Sequence, residues 1–159
     1  MTFRAPWSVY LKITTVLGTA AIVFAIYVLS RVPDAPSVDW VLPLLVAVFV
    51  GSALTAVRGY EIGDDTIVIK RLIWSTRLPR DGLTGARPVA IQWPHWRLFG
   101  NGGLFAFSGW FTSSSIGTYH GFFTDPSRTV VLDYGEKRYV ISPDEPQRFV
   151  DALSIRRPG

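Results

Sequence analysis

Two long apolar runs without any charged residue dominate the first third of the chain. Ile13–Ser30 extends to about 20 residues when Tyr10 and Leu11 are included, and Trp40–Val57 follows after a short, turn-rich link. About 20 mostly apolar residues are enough for a helix to cross a bilayer. The pattern therefore predicts a transmembrane helical hairpin in residues 1–58, with helices at about 10–30 and 40–57.

Two other interpretations of the apolar runs are open at this stage. A cleavable signal peptide would need a shorter apolar core and a small-residue cleavage site, and neither is visible. A buried pair of helices in a soluble protein is the second alternative. Pro43 would lie in the first turn of the second helix, where a missing N–H costs little, and Gly51, Ser52 and Ala53 are small enough for close helix contact.

The cationic residues that flank the runs predict an orientation. Arg4, Lys12 and Arg58 lie on the side of the termini, whereas the link carries Arg31 beside Asp34 and Asp39. Because cytoplasmic flanks are enriched in Lys and Arg, we expect both termini and the C-terminal domain to be cytoplasmic. The chain is therefore predicted to be an integral membrane protein, with the lipid bilayer as one partner.

The pattern changes at Arg58 to short alternating segments typical of β-strands. A strand ending at Ile62 meets the turn Gly63-Asp64-Asp65, and further strands are predicted over 66–70, 72–78 and 89–93. The stretch from 99 to 123 then alternates glycine with large aromatic residues. Glycine allows close backbone approach and aromatics favour strands, so we predict bulged, strongly twisted strands there.

The end of the chain predicts a hairpin followed by one helix. Residues 129–132 and 138–141 flank a turn at Gly135. Ser142 and Glu145 have the spacing of a capping box with Pro143 at the first helical position, which predicts a helix over about 143–155. Its apolar face would carry Phe149, Val150 and Leu153. The predicted fold class is α+β, a transmembrane hairpin followed by an antiparallel β barrel or sandwich over 59–159 that the helix caps.

The residues also resemble a known family, the bacterial pleckstrin-homology-like (PH-like) membrane proteins of the two-transmembrane-helix type. The resemblance covers roughly residues 59–154. It rests on Tyr60-Glu61-Ile62 with Asp64-Asp65, Arg77-Leu78-Pro79, Gly109-Trp110-Phe111 with Gly117, Tyr139 to Pro143, and Phe149-Val150. It implies a PH-like fold with one capping helix and a location in the inner membrane of a bacterium, and it says much less about biochemical role.

Composition removes several classes of function. The chain has no cysteine, so disulfides and thiolate chemistry are excluded. The net charge of +4 comes from interspersed signs, without the dense basic face that nucleic-acid binding needs. His95 and His120 are too few and too far apart in the chain to predict a metal site.

Candidate chemistry is sparse. Ser113-Ser114-Ser115 with His120 and Asp125 contains the residue types of a nucleophile, a base and an orienting acid, but a polar turn explains the serines more simply. Residues 100–103, Gly-Asn-Gly-Gly, could form a phosphate-binding nest, yet no Lys-Ser or helix follows, and a turn is the simpler interpretation. We predict no enzyme activity, no catalytic residues, no cofactor, no metal and no small-molecule substrate.

Two surfaces are the candidates for interaction. The first is an aromatic and cationic segment that suits a protein contact or a membrane interface, although its tryptophans could instead fill one end of the barrel; it comprises Trp93, His95, Trp96, Arg97 and Phe99. The second is a basic flank for anionic lipid, formed by Lys70, Arg71, Arg77 and Arg80. The first hairpin turn is acidic, unlike the basic turn of phosphoinositide-binding PH domains.

The leading functional hypothesis is a non-enzymatic, membrane-anchored module that binds an unidentified protein and organises or regulates a complex at the inner membrane face. The alternative is a sensor of anionic lipid that uses the basic flank and residues 93–99.

Overall fold

The computed structural model describes residues 1–31, 38–91 and 95–154, with three helices and ten strands. The helices are α1 (Val9–Leu29), α2 (Val38–Leu54) and α3 (Pro146–Ser154). The strands are β1 (Thr2–Arg4), β2 (Val57–Ile62), β3 (Thr66–Arg71), β4 (Ser75–Pro79), β5 (Gly85–Val89), β6 (His95–Leu104), β7 (Ala106–Ser113), β8 (Gly117–Phe123), β9 (Thr129–Tyr134) and β10 (Lys137–Ile141).

The two apolar runs form α1 and α2, close to the predicted bounds. In the part of the chain that the structure describes, α1 is the one helix long and apolar enough to cross a membrane, with a mean hydropathy of 1.9. The second helix is shorter, at 17 residues, and includes Pro43. A β-carbon placed on Gly51 would meet nothing within 4 Å, so the predicted close helix contact at Gly51 is wrong.

The strands form two separate sheets, so of the predicted barrel or sandwich the described residues form the sandwich and no closed barrel. One sheet has the order β1-β2-β3-β4 and is antiparallel throughout. The other has the order β5-β9-β10-β8-β7-β6, in which β8 and β10 run parallel. The domain is therefore a sandwich of mixed pairing.

The first strand was not predicted. Thr2–Arg4 pairs with Gly59–Glu61, and Phe3 is buried in the core. Residues ahead of the first apolar helix thus belong to the four-stranded sheet, and α1 leaves the β domain and α2 returns to it.

Each face of the six-stranded sheet carries its own apolar cluster. Because side chains alternate along a strand, Phe122 faces the four-stranded sheet and α3, whereas Phe123 faces the first turn of α1. The inner cluster includes Tyr60, Ile67, Ile69, Leu78, Val130, Leu132, Ile141, Phe149 and Leu153. The outer cluster includes Leu11, Phe107, Phe111, Tyr119, Val131 and Val140.

The C-terminal helix begins later than the capping-box pattern predicts. α3 starts at Pro146, and the carbonyl of Glu145 accepts the N–H of Phe149 at 2.9 Å. Proline is favoured at this first helical position. Ser142 is not the cap, because its buried hydroxyl accepts the N–H of Thr124 at 2.8 Å. The predicted apolar contacts hold, since Phe149 and Leu153 are buried against the sheets.

The predicted strand elements differ mainly at their ends. Leu72, Ile73 and Trp74 form the turn between β3 and β4, so the strand expected over 72–78 begins only at Ser75. The glycine-rich stretch forms β6, β7 and β8, with register shifts in β6 after Arg97 and after Gly102. This confirms the prediction of bulged strands. The hairpin around Gly135 is also confirmed.

Candidate functional site

The outward faces of α1 and α2 expose large apolar side chains. Along α1, Ile13, Leu17 and Phe24 are between 52% and 68% exposed, and Trp40 of α2 reaches 81%. Soluble monomers seldom expose contiguous apolar patches of this kind, and such patches mark membrane or protein contacts. Both helices therefore carry a surface that water does not favour.

The base of α1 is part of the β domain. Ser8 caps α1, its side chain accepting the Leu11 N–H at 3.1 Å, and its own N–H donates to the Thr124 carbonyl at 3.2 Å. Leu11 is fully buried in the outer cluster. The helix consequently leaves the domain at a fixed position.

The tip of the β6–β7 hairpin, residues 102–106, lies against both apolar helices. The Thr14 hydroxyl donates to the Gly103 carbonyl at 2.8 Å, and the Phe105 N–H donates to Thr15 Oγ1 at 3.0 Å. On the α2 side, the Asn101 amide donates to Thr55 Oγ1 at 3.0 Å. The stretch considered as a phosphate nest is therefore a structural hairpin whose polar groups are bonded to the helices.

The aromatic segment of the sequence prediction is only partly described. Trp93 lies outside the described residues, and for His95, Trp96 and Arg97 the structure gives the backbone position in β6 but no side-chain placement. Phe99 is 77% exposed and stands opposite Trp110 of β7. The segment from His95 onward is thus a strand and not a loop, and its role as an interaction surface stays a prediction.

The four cations of the predicted lipid surface point in different directions. Lys70 forms an ion pair with Glu61 at 2.6 Å, which also holds the pKa of Glu61 below its usual range. Arg80 donates to the carbonyls of Gly63 and Leu153, at 3.1 and 2.9 Å, and joins the β2–β3 turn to the end of α3. For Arg71 and Arg77, neither an ion pair nor a side-chain hydrogen bond is present among the described residues, and the two lie on opposite faces of their sheet.

Arg71 lies on the inner face of β3, in line with the buried Ile67 and Ile69. Its guanidinium sits 4.6 Å from the ring centre of Phe122 and 5.5 Å from that of Trp74. Its Nε is buried without a hydrogen-bond partner, and no carboxylate of the described residues pairs with it. Burial of this unpaired cation lowers the pKa of Arg71, although guanidinium stays charged at physiological pH.

His120 lies beside this arginine in the middle of an aromatic row. Its ring stacks on Trp110 with centres 4.9 Å apart and lies 4.3 Å from Phe122. Burial, and then the charge of Arg71, lower the pKa of His120. Both effects favour the neutral form of the imidazole. We call Arg71, Trp74, Trp110, His120 and Phe122 together the Arg71 surface.

The Arg71 surface combines a fixed cation with partly open aromatic rings. Trp74 and Trp110 are each 43% exposed. A half-desolvated guanidinium that lacks an acidic partner favours an incoming carboxylate, which it can bind through two parallel N–H groups. Arg71 can be selected from the sequence, but its neighbours cannot, since Phe122 and His120 reach it only through the packing of two sheets and Trp110 joins them by stacking on His120. The Ile67, Ile69, Arg71 alternation was the available signal.

The residues considered for nucleophilic catalysis have structural partners. The Ser113 hydroxyl accepts the N–H of Ile116 at 3.2 Å, and the Asp125 carboxylate accepts the N–H and the hydroxyl of Ser127 at 3.0 and 2.6 Å. The His120 ring is occupied by aromatic stacking. Across the described ranges, no group of three histidine or acidic residues is placed to hold a metal ion.

Comparison with known proteins supports the fold. A search of curated proteins and a search of solved structures each returned no match. The family model described as bacterial PH domain matches residues 58–157. That match spans the strands from β2 onward and α3, and it includes Arg71, Trp110 and His120. The chain belongs to the bacterial PH domain family.

Proposed function

We propose that this protein is a non-enzymatic, membrane-anchored interaction module. In this proposal α1 and α2 form a transmembrane hairpin in the inner membrane of a bacterium, and the PH-like domain faces the cytoplasm. There it binds a protein partner and helps to organise or regulate a complex. Membership in the bacterial PH domain family supports a role in protein or lipid interaction.

The exposed apolar face of α1, joined without a linker to the β domain, carries the anchoring proposal. The helix is 21 residues long, which corresponds to about 31 Å and matches a hydrocarbon core of about 30 Å. Few of its residues are buried by the protein itself. A core helix of a soluble protein would instead bury its apolar side chains.

Anchoring is tested by membrane extraction of the full chain. We expect the protein to stay in the membrane pellet after alkaline carbonate treatment and to be released by detergent. Release by carbonate alone would contradict an integral anchor.

The charge distribution around the helices supports a cytoplasmic domain. Arg4, Lys12 and Arg58 flank the domain ends of the helices, whereas the sequence that links the two apolar runs carries Arg31 with Asp34 and Asp39. A cysteine placed at Ser37 should react with an impermeant thiol reagent added outside the cell, and one at Glu136 should not. The reverse labelling would place the β domain outside.

The Arg71 surface supports a partner with an exposed acidic segment. Its cation is already positioned by Phe122 and Trp74, so a carboxylate gains a charge-assisted hydrogen bond without the cost of ordering the arginine. The flanking tryptophans supply the aromatic contact area common in protein hot spots.

Photocrosslinking from the position of Trp74 tests this surface. In cells, a benzoylphenylalanine at residue 74 should capture a protein, and Arg71→Gln should abolish the adduct. Arg77→Gln is the matched control, because it removes the same charge from the exposed outer face of β4 and should leave the adduct intact. Adducts to phospholipid, or equal loss with both variants, would favour the lipid-sensor hypothesis and contradict a protein partner.

A further inference from the structure

The bonds between the β6–β7 hairpin and the helices define a depth along α1. Thr14 and Thr15 bond to Gly103 and Phe105, and a β-carbon placed on Gly18 would lie 3.0 Å from Leu104 Cδ1. The hairpin tip therefore contacts α1 between about one and a half and two and a half turns beyond its start at Val9, close to the middle of the helix.

The length of the helices decides where the membrane surface lies relative to this tip. If the tip remained in water, only residues 19–29 of α1 would be available to cross the membrane, a length of about 16 Å. The hydrocarbon core is about 30 Å thick. The full length of α1 crosses it only when the bilayer begins near Val9, which places the tip below the membrane surface.

The composition of this first half of α1 agrees with immersion. Val9, Ile13, Val16 and Leu17 are all exposed on the side away from the hairpin. Lys12 can extend its ammonium group to the headgroups. Water would be an unfavourable neighbour for this face, whereas lipid chains would cover it.

Polar backbone groups of the tip are hydrogen-bonded within the protein, as an environment without water requires. Irregular backbone is tolerated at membrane depth only where its polar groups are satisfied by protein. The Asn101 side chain bonds both the N–H and the carbonyl of Leu104 and also reaches Thr55. The threonines of α1 satisfy Gly103 and Phe105, and the Phe105 ring packs on Phe49 of α2 with centres 5.4 Å apart.

Farther from the tip, β6 exposes two large apolar side chains. Leu98 and Phe99 are exposed on β6, while Trp7 and Tyr10 lie at the beginning of α1. Tryptophan and tyrosine concentrate at the membrane–water interface.

We propose that the β6–β7 hairpin is a second membrane element, with its tip inserted between the helices within the bilayer and with Leu98 and Phe99 at the interface. The inference rests on the proposed anchoring of α1 and α2. It adds that the β domain is seated on the bilayer in a fixed orientation and is not suspended above it.

Single-cysteine labelling tests the insertion, because the chain has no cysteine of its own. Leu104→Cys reports the tip, Leu98→Cys the interface, Phe24→Cys the distal half of α1, and Ile73→Cys an exposed apolar position in the β3–β4 turn. Each variant carries an NBD fluorophore and is reconstituted into phosphatidylcholine–phosphatidylglycerol vesicles. Urea unfolding midpoints equal to that of the parent protein show which labelled variants are folded.

We expect acyl-chain nitroxides to quench NBD at residues 24, 104 and 98, with the shallowest position at 98, and aqueous iodide to quench NBD at 73. If residue 24 is in lipid but both 104 and 98 are quenched by iodide as strongly as 73, the insertion is overturned and the anchor stands. Iodide quenching at residue 24 would instead overturn the anchor and the insertion together. Should the Leu104 variant fail to fold, the exposed Leu98 site alone decides between these outcomes.

Discussion

Three buried tyrosine hydroxyls offer a test in which the same substitution has opposite expected signs. The Tyr60 hydroxyl donates to the Phe122 carbonyl at 2.7 Å and accepts the N–H of Ser142 at 3.0 Å. The hydroxyls of Tyr119 and Tyr134 are buried without a hydrogen-bond partner among the described residues. Tyr→Phe removes one oxygen at each position and keeps the ring.

At Tyr60 the substitution leaves two buried backbone groups unsatisfied. Each such group costs about 1–3 kcal/mol, so we expect Tyr60→Phe to lower the free energy of unfolding by about 2–6 kcal/mol. At Tyr119 and Tyr134 the lost oxygen had no partner. Its removal relieves a desolvation cost, and we expect Tyr119→Phe and Tyr134→Phe to be neutral or stabilising by up to about 1 kcal/mol.

The assay is urea unfolding of the full chain in a mild detergent, followed by tryptophan fluorescence. Equal slopes of the free energy against urea concentration would show that the unfolded states are comparable. A loss at Tyr134 as large as that at Tyr60 would refute the reasoning, because it would show that ring packing and not hydroxyl bonding determines the effect.

The same tyrosines predict how stability depends on alkaline pH. Burial raises the pKa of Tyr60, Tyr119 and Tyr134 to about 12 in each case, above the ordinary value of 10.0. The folded protein therefore holds protons that the unfolded chain releases, so their contribution is fully present below pH 10 and is lost as the pH rises toward 12. Tyr60→Phe should flatten this decline, and an unchanged profile would contradict the assignment.

Three further predictions concern single positions, all read from the same urea unfolding. Ser142→Ala should cost about 1–3 kcal/mol because the Thr124 N–H loses its buried acceptor; a cost below about 0.5 kcal/mol would mean that this hydrogen bond is easily replaced. Phe149→Ala should cost about 3–5 kcal/mol, whereas Arg148→Ala, on the exposed face, should change stability by less than about 0.5 kcal/mol; the reverse order would show that α3 does not cap the core. Gly109→Ala should destabilise far more than Gly135→Ala, since an added β-carbon would lie 2.2 Å from the Phe99 carbonyl oxygen at residue 109 but meets nothing within 4 Å at residue 135; equal effects would show that backbone conformation alone matters.

Local patterns were sufficient for the elements that are stabilised by their own sequence. The two apolar runs, the turn before Thr66 and the hairpin around Gly135 were found because each contains its own signal, in hydrophobicity or in turn residues. The bulged strands were found because glycine alternates with aromatics. A strand of three residues such as β1 has no such signal, since its pairing with Gly59–Glu61 depends on the chain returning through two helices.

Ser142 shows why a correct local pattern can still give the wrong role. The segment Ser142 to Pro146 contains two prolines and two possible helix starts, and the capping-box spacing favours the first. In the structure, however, Ser142 bonds to Tyr60, which lies 82 positions earlier in the chain, and to Thr124. These bonds satisfy three buried groups, namely the N–H of Thr124, the N–H of Ser142 and the hydroxyl of Tyr60. Together they stabilise the fold more than one exposed helix cap would, so the helix begins at the second proline, Pro146.

The four cations of the predicted lipid surface differ in how far the sequence reveals their role. A positive residue on a strand can be recognised from sequence, and all four predicted cations are on or next to β3 and β4. Whether such a cation is free depends on its neighbours in space: Glu61 neutralises Lys70, three backbone carbonyls hold Arg80, and Phe122 and Trp74 support Arg71 without neutralising it. Which of these cations has a charged or polar partner is decided by the packing of one sheet on the other. For this reason Arg71, which sequence analysis grouped with lipid contacts, becomes the position from which a partner search should begin.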